Sequence, residues 1–201
     1  MPTSKAPYRN VLRSKRLIQD AYIQLLMRQT VGKIKIKDLI ELANISKGTF
    51  YAHYTCVQDI RREIEDEQLV LMFQDFERRS PDLILEDFSP LFLCGLREME
   101  RKQDLFRLLF NSYGDTSFTQ RVTQLFLDHL LHSTVHGAYF DTAQQAENCL
   151  TFVAGGTIAV IQNWLAQSSP VPAETVAQLL SDCAVGGIRG FREMADASKK
   201  A

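Results

Sequence analysis

Apolar positions recur at helical spacing along almost the whole chain. From Arg13 to Gln29, Leu17, Ile18, Ala21, Leu25 and Leu26 share one stripe, which predicts an amphipathic helix. Thr30-Val31-Gly32 ends it, with Gly32 expected in the left-handed conformation. Ile36 to Ala43 reads as a two-turn helix with Ile36, Leu39, Ile40 and Ala43 inward. Asn44-Ile45-Ser46 reads as a turn, Lys47 to Tyr54 as a second short helix, and Val57 to Arg79 as a long one carrying Ile60, Ile64, Leu71 and Phe76. Only Lys33-Ile34-Lys35-Ile36-Lys37 alternates apolar with polar, and it is too short and too charged to seed a sheet.

The helical pattern continues beyond a break at Ser80-Pro81-Asp82. Residues 89–110 form one or two helices interrupted near Lys102-Gln103, and Asn111 to Asp115 is a loop. Thr116 to His136 is a helix ended by the turn at Gly137. Asp141 to Ala166 is long and apolar. Pro172 suits the first turn of a last helix running to about Met194, with Ala195 to Ala201 as a tail. The pattern therefore predicts an all-α protein, with a domain boundary inside the long helix after residue 62.

Composition adds exclusions. With 201 residues, 45% hydrophobic and 23% charged, the chain is an ordinary globular one. No run of 18 uncharged apolar residues is present, so no membrane span is expected. Met1 to Asn10 lacks the apolar core of an export signal, so the expected location is cytoplasmic. The cysteines Cys56, Cys94, Cys149 and Cys183 show no close pairing. They are expected to be reduced, with Cys94, Cys149 and Cys183 buried in apolar stretches. Charge changes the picture most. Residues 1–62 carry 12 Lys/Arg against 4 Asp/Glu, while residues 63–201 carry 11 against 20. A front end of +8 on a body of −9 suggests an anionic partner, nucleic acid or a membrane surface, for the first third alone.

Ile36 to Tyr54 is where that charge meets a motif. Two short helices joined by a tight turn make a helix-turn-helix. Ala43 is small where the helices cross, Asn44 tolerates the left-handed end of the first helix, and Ile45 plugs the turn. Ser46 caps the second helix. Gly48 and Thr49 keep its first turn slim, so that free N–H groups can face a phosphate. Phe50 points to the core, while Tyr51, His53 and Tyr54 offer polar tips. Lys35, Lys37 and Lys47 surround the entry to this second helix.

This segment, with a helix before it at 13–29 and a long helix after it, resembles the DNA-binding domain of TetR-family transcriptional regulators. Ser46-Lys47-Gly48-Thr49-Phe50-Tyr51-x-His53-Tyr54 is its most specific string. Gly155-Gly156-Thr157 to Trp164-Leu165, with Pro172 and Glu174, is similar to a pattern in the branch that includes dihydroxyacetone-kinase-operon regulators. There are departures: Lys35 stands where a capping Thr or Ser is usual, Asn44 replaces a usual Gly, and Thr55-Cys56-Val57-Gln58-Asp59 replaces a Lys-Glu-like segment. The resemblance implies a three-helix DNA-binding domain over residues 10–65, its motif at about 35–54. It also implies a larger helical domain for effector binding and dimerisation over 66–195. The expected function is a ligand-responsive repressor that binds a palindromic double-stranded DNA operator as a homodimer. The alternative is a co-regulator of the same fold acting through protein–protein contact. Expected DNA contacts are Lys35, Lys37, Ser46, Lys47, Gly48, Thr49, Tyr51, His53 and Tyr54.

The second half is rich in aromatics, which either fill a core or line a pocket. The resemblance implies a pocket for a small-molecule effector, with Phe92, Met99, Phe106, Phe110, Tyr113, Phe126 and His129 as candidate contacts. His129, His132 and His136 share a helix face and suit a metal, a polar pocket contact or plain surface and core positions; no metal and no cofactor is assigned. Gly155, Gly156 and Ala159 on one helix, and Gly186, Gly187 and Gly190 on the other, need a packing reason, because each interior glycine costs a helix up to about 1 kcal/mol. The resemblance implies that these two helices pair with their copies in a second chain. No motif of hydrolases, nucleotide-binding loops or metalloproteases is present, so no enzyme activity is expected.

Overall fold

The computed structural model describes residues 5–74, 87–110, 116–131, 139–168 and 170–198. Among these, the regular elements are all helical: α1 (Lys5–Leu26), α2 (Ile36–Ala43), α3 (Lys47–Tyr51), α4 (Val57–Phe73), α5 (Ser89–Arg101), α6 (Gln103–Phe110), α7 (Ser117–Leu131), α8 (Ala143–Ala166) and α9 (Ala173–Ser198). They form two compact units, one ending at Gln68 and one starting at Leu69.

In the first unit, α1 buries Ile18, Ala21, Tyr22 and Leu26. Leu17, expected inward, is exposed, and Tyr22 takes the inward place one turn after Ile18. Gly32 does not cap α1 in the left-handed form. It lies in a short 3-10 turn, Val31–Lys33, and its φ is not positive. Leu39 and Ala43 of α2, Phe50 of α3, and Val57, Ile60 and Ile64 of α4 complete this core.

The second unit is built on α5 against α9 and α7 against α8. Lys102 separates α5 from α6, as the sequence predicts; its φ of −123° and ψ of 40° leave the helical range. Polar side chains fix the ends. Ser181, buried on α9, accepts the Phe88 N–H at 2.8 Å and donates to Asp87 at 2.9 Å, pinning the start of α5. Arg107 donates to the carbonyls of Leu165 and Gln167 and so closes the C-terminus of α8. The Trp164 indole N–H bonds Val171 O at 2.8 Å across the loop to α9. Pro172 precedes α9 rather than entering it, its carbonyl accepting from Thr175 and Val176, and α9 runs on to Ser198.

Two composition-based expectations change. Cys149 is buried, but Cys94 is half-buried and Cys183 exposed. By length and composition α8 does pass as a membrane span, with a mean hydropathy of 1.4 over 18 residues, yet half of that window is buried inside the protein. Its buried face runs from Ala146 through Leu150, Ala154 and Ile158 to Leu165, as a core helix requires. The breaks expected at 80–82, 111–115 and Gly137, together with Tyr113, His132 and His136, lie outside the described residues.

Candidate nucleic-acid interface

The turn between α2 and α3 is made as the residue types demand. Asn44 ends α2 with φ 50° and ψ 52°, the left-handed well that asparagine tolerates, and its N–H bonds Glu41 O at 3.2 Å. The Ile45 N–H closes back on Ile40 O at 3.2 Å. Ser46 then caps α3: its Oγ accepts the Thr49 N–H at 3.0 Å and lies 2.8 Å from Thr49 Oγ1. That bond uses one of the N–H groups expected to face a phosphate. The Ser46 hydroxyl hydrogen can point to Thr49 Oγ1, which leaves the Thr49 hydroxyl proton available outward.

α3 is shorter than the sequence suggests, ending at Tyr51, with Ala52 and His53 in a following turn. Its inward anchor is Phe50, fully buried and in edge contact with Tyr51 at 5.4 Å. Tyr51 is 50% exposed. The Lys47 ammonium lies 5.9 Å from the centre of the Tyr51 ring, so this pair sits together on the outer surface. Lys47 opens α3, where the helix dipole disfavours a cation, so helix stability does not explain it. Lys35, Lys37 and Gly48 are exposed, and a methyl at Gly48 would meet only Ser46 Oγ, at 3.7 Å. Lys35 stands at the start of α2 with no side-chain cap bond.

Tyr54 departs from expectation. It is 4% exposed, and its hydroxyl donates to Glu63 of α4 rather than pointing outward. Lys15 of α1 bonds the other oxygen of Glu63 and lies 5.6 Å from the Tyr54 ring centre. Burial, reinforced by the bond to Glu63, pushes the Tyr54 phenol far above its ordinary range. Burial opposes the charge on Glu63, but the bonds from Lys15 and Tyr54 outweigh it and hold its carboxyl below the usual range. This Lys15–Tyr54–Glu63 triangle ties the end of the motif to α1 and α4. Sequence reading missed it, since Glu63 lies 9 and 48 residues from its partners and no spacing rule joins them. The segment after Tyr54 has a cap of its own. Asp59 accepts from Thr55 N at 2.8 Å and Cys56 N at 3.0 Å, and from the Thr55 hydroxyl. The Thr55 bonds lead those that draw its carboxyl down to about 2.

In the second unit, Phe92, Met99 and Phe126 line a cavity of about 40 Å³ among α4, α5, α7 and α8. Phe92 and Phe126 lie 5.6 Å apart. Phe106 and Phe110 do not line it; they pack with Phe118 at 6.3 and 5.1 Å, as core between α6 and α7. His129 stacks on Phe73 at 5.6 Å, with Nδ1 2.7 Å from Leu125 O. No cluster of three metal-ligating side chains occurs among the described residues.

The glycine helices are open on one side. A methyl placed on Gly155, Gly156, Gly186 or Gly190 would meet nothing within 4 Å, so close packing within the chain does not account for them. Gly187 differs, since its methyl would reach Val153 at 3.8 Å. Ala159 is exposed beside the open glycines, and Phe152 on the same face of α8 is 77% exposed.

Comparison with known proteins decides the family. A model of the transcriptional regulator C-terminal region of the TetR type matches residues 86–186, half of the chain. The chain belongs to the TetR family of transcriptional regulators. It is 24% identical over 145 residues to the uncharacterized HTH-type transcriptional regulator YvkB of Bacillus subtilis (strain 168), covering 68% of this chain and 76% of that protein. The fold is that of a TetR transcriptional regulator from Streptococcus agalactiae 2603V, with TM-score 0.65 and 23% identity over 89% of this chain and 97% of that one. It is also similar to the dihydroxyacetone kinase operon activator DhaS, with TM-score 0.62 and 15% identity over the same shares. Members of the family regulate transcription by binding DNA and are not enzymes.

Proposed function

We propose that this chain is a ligand-responsive repressor that binds a palindromic operator as a homodimer. Residues 10–65 form its DNA-binding domain and 66–195 its effector and dimerisation domain. The observation that carries the reading is the outer face of α3. Lys47 and Tyr51 stand exposed together on a helix whose opposite side is locked by Phe50 and whose start is set by Ser46. That face sits in the part of the chain with a charge of +8. In this reading Lys35, Lys37 and Lys47 meet phosphates, while Gly48, Thr49 and Tyr51 approach base edges or backbone. Tyr54 holds the helix in place from within, Ser46 caps it from an exposed position, and His53, half-buried beside Tyr54, stays at the edge of the contact.

The open glycine faces of α8 and α9 support a homodimer, because a second copy of the same two helices supplies the missing packing. Selection from random duplex DNA at controlled salt tests the reading. Enrichment of a two-fold symmetric sequence supports it, and absence of any enriched sequence favours a co-regulator acting through protein contact. Since the fold neighbour DhaS is an operon activator, transcription from a template bearing the recovered site separates the two directions. Reduced transcript supports repression; increased transcript contradicts it.

A further inference from the structure

We propose that the cavity among α4, α5, α7 and α8 takes a small uncharged apolar molecule carrying a single hydrogen-bonding group, and that Thr157 reads that group; the proposal rests on the ligand-responsive reading above. The described residues lining the cavity are apolar apart from Thr157, and none is charged. A carboxylate or ammonium there would lose its hydration without a partner, at a cost no such wall offsets.

Thr157 is the informative residue. It is 7% exposed, lines the cavity, and its hydroxyl has no hydrogen-bond partner among the described residues. A threonine in a helix ordinarily bonds the carbonyl one turn back, as Thr123 does to Thr119 O at 2.8 Å on α7. The Thr157 hydroxyl, on the cavity wall and without such a bond, can meet a ligand oxygen or nitrogen.

The volume adds a consequence. About 40 Å³ is well short of the roughly 150 Å³ that holds a benzene ring in an apolar cavity. A ring-sized ligand must therefore move the wall. Met72 and Met99 are unbranched side chains suited to that. On the Met72 side, Gly95 brings α5 up to α4: a methyl there would lie 3.7 Å from Met72 Cβ and from its carbonyl. Met72 belongs to the last turn of α4, so filling the cavity pushes directly on the helix that begins just after the DNA-binding motif.

The test compares phenol, toluene and benzoate, three ligands built on one ring, by calorimetric titration and unfolding midpoint of the full chain. Wild type should bind toluene, bind phenol about two- to tenfold more tightly, and ignore benzoate. Thr157→Val keeps the shape and removes the hydroxyl; it should still bind toluene and lose the preference for phenol. Benzoate binding as tightly as toluene would overturn the proposal, as would a preference for phenol that survives in Thr157→Val. Failure of wild type to bind either neutral ring would overturn it too. No DNA enters these titrations, so a failure to select an operator counts against the regulator reading alone.

Discussion

Lys47 is the residue whose position is hardest to explain without a nucleic acid. It opens α3 against the helix dipole and rests its ammonium near the exposed Tyr51 ring. Lys47→Ala should weaken binding to all duplex sequences alike and shallow the salt dependence by about one unit per half-site, read from affinities across a salt series. Thr49 should behave differently, since its methyl and hydroxyl can touch a base edge. Thr49→Val, Thr49→Ala and Thr49→Ser, each put through sequence selection, should shift the preferred half-site, with about 1–3 kcal/mol at stake per lost contact. Recovery of the parental site with unchanged affinity would remove Thr49 from the reading face. Asp59 sets a pH dependence. Its carboxyl titrates at about 2 in the folded chain against an ordinary 3.8, so its stabilising bonds are complete above pH 3.8 and are lost as pH falls toward 2. Glu63, also held below its ordinary range, adds to the same acid-side loss. Unfolding of Asp59→Asn followed from pH 7 to pH 2 should show a shallower fall than wild type; parallel curves would deny Asp59 this role.

Elements differ in how far the sequence discloses them. The bounds of α2 and the turn at Asn44 were legible because each rests on local chemistry: an apolar stripe and a side chain suited to a left-handed well. The break at Lys102 showed as an interruption of the helical pattern, although lysine and glutamine are themselves good helix formers. Phe50 was legible as core for the same reason. Tyr22 and Tyr54 were not, because a tyrosine is apolar along its ring and polar at its tip, and only a partner such as Glu63 decides which way it faces. Gly32 was misread because α1 has already ended at Leu26, and Gly32 lies beyond it in a separate 3-10 turn with no positive φ. Cys183 was misread because an apolar stretch says nothing of which helix face a residue takes. At the glycine helices the sequence disclosed the feature, and the structure showed which residues are open. Gly186→Leu is therefore a cleaner probe than Gly187→Leu, since a Cβ at 186 meets nothing within 4 Å while one at 187 reaches Val153. It should leave the fold intact by circular dichroism and shift sedimentation from dimer to monomer. A variant that sediments as wild type would take this face of α9 out of the interface.

For the whole molecule, the proposed function assigns DNA reading to the positively charged first unit and pairing to the second. α4 begins in the one and ends among the cavity walls of the other. Effector release then works only if the ligand binds one spacing of the two reading helices better than another. A symmetric dimer meets successive major grooves roughly 34–36 Å apart, so the DNA must present its half-sites at a fixed helical phase. Titration of the full chain against the selected operator, and against the same operator with about half a helical turn of extra base pairs between its half-sites, tests this most directly. The account predicts that the insertion reduces affinity to the level of unrelated duplex, although every base touched is still present. Equal affinity for the two duplexes would contradict it.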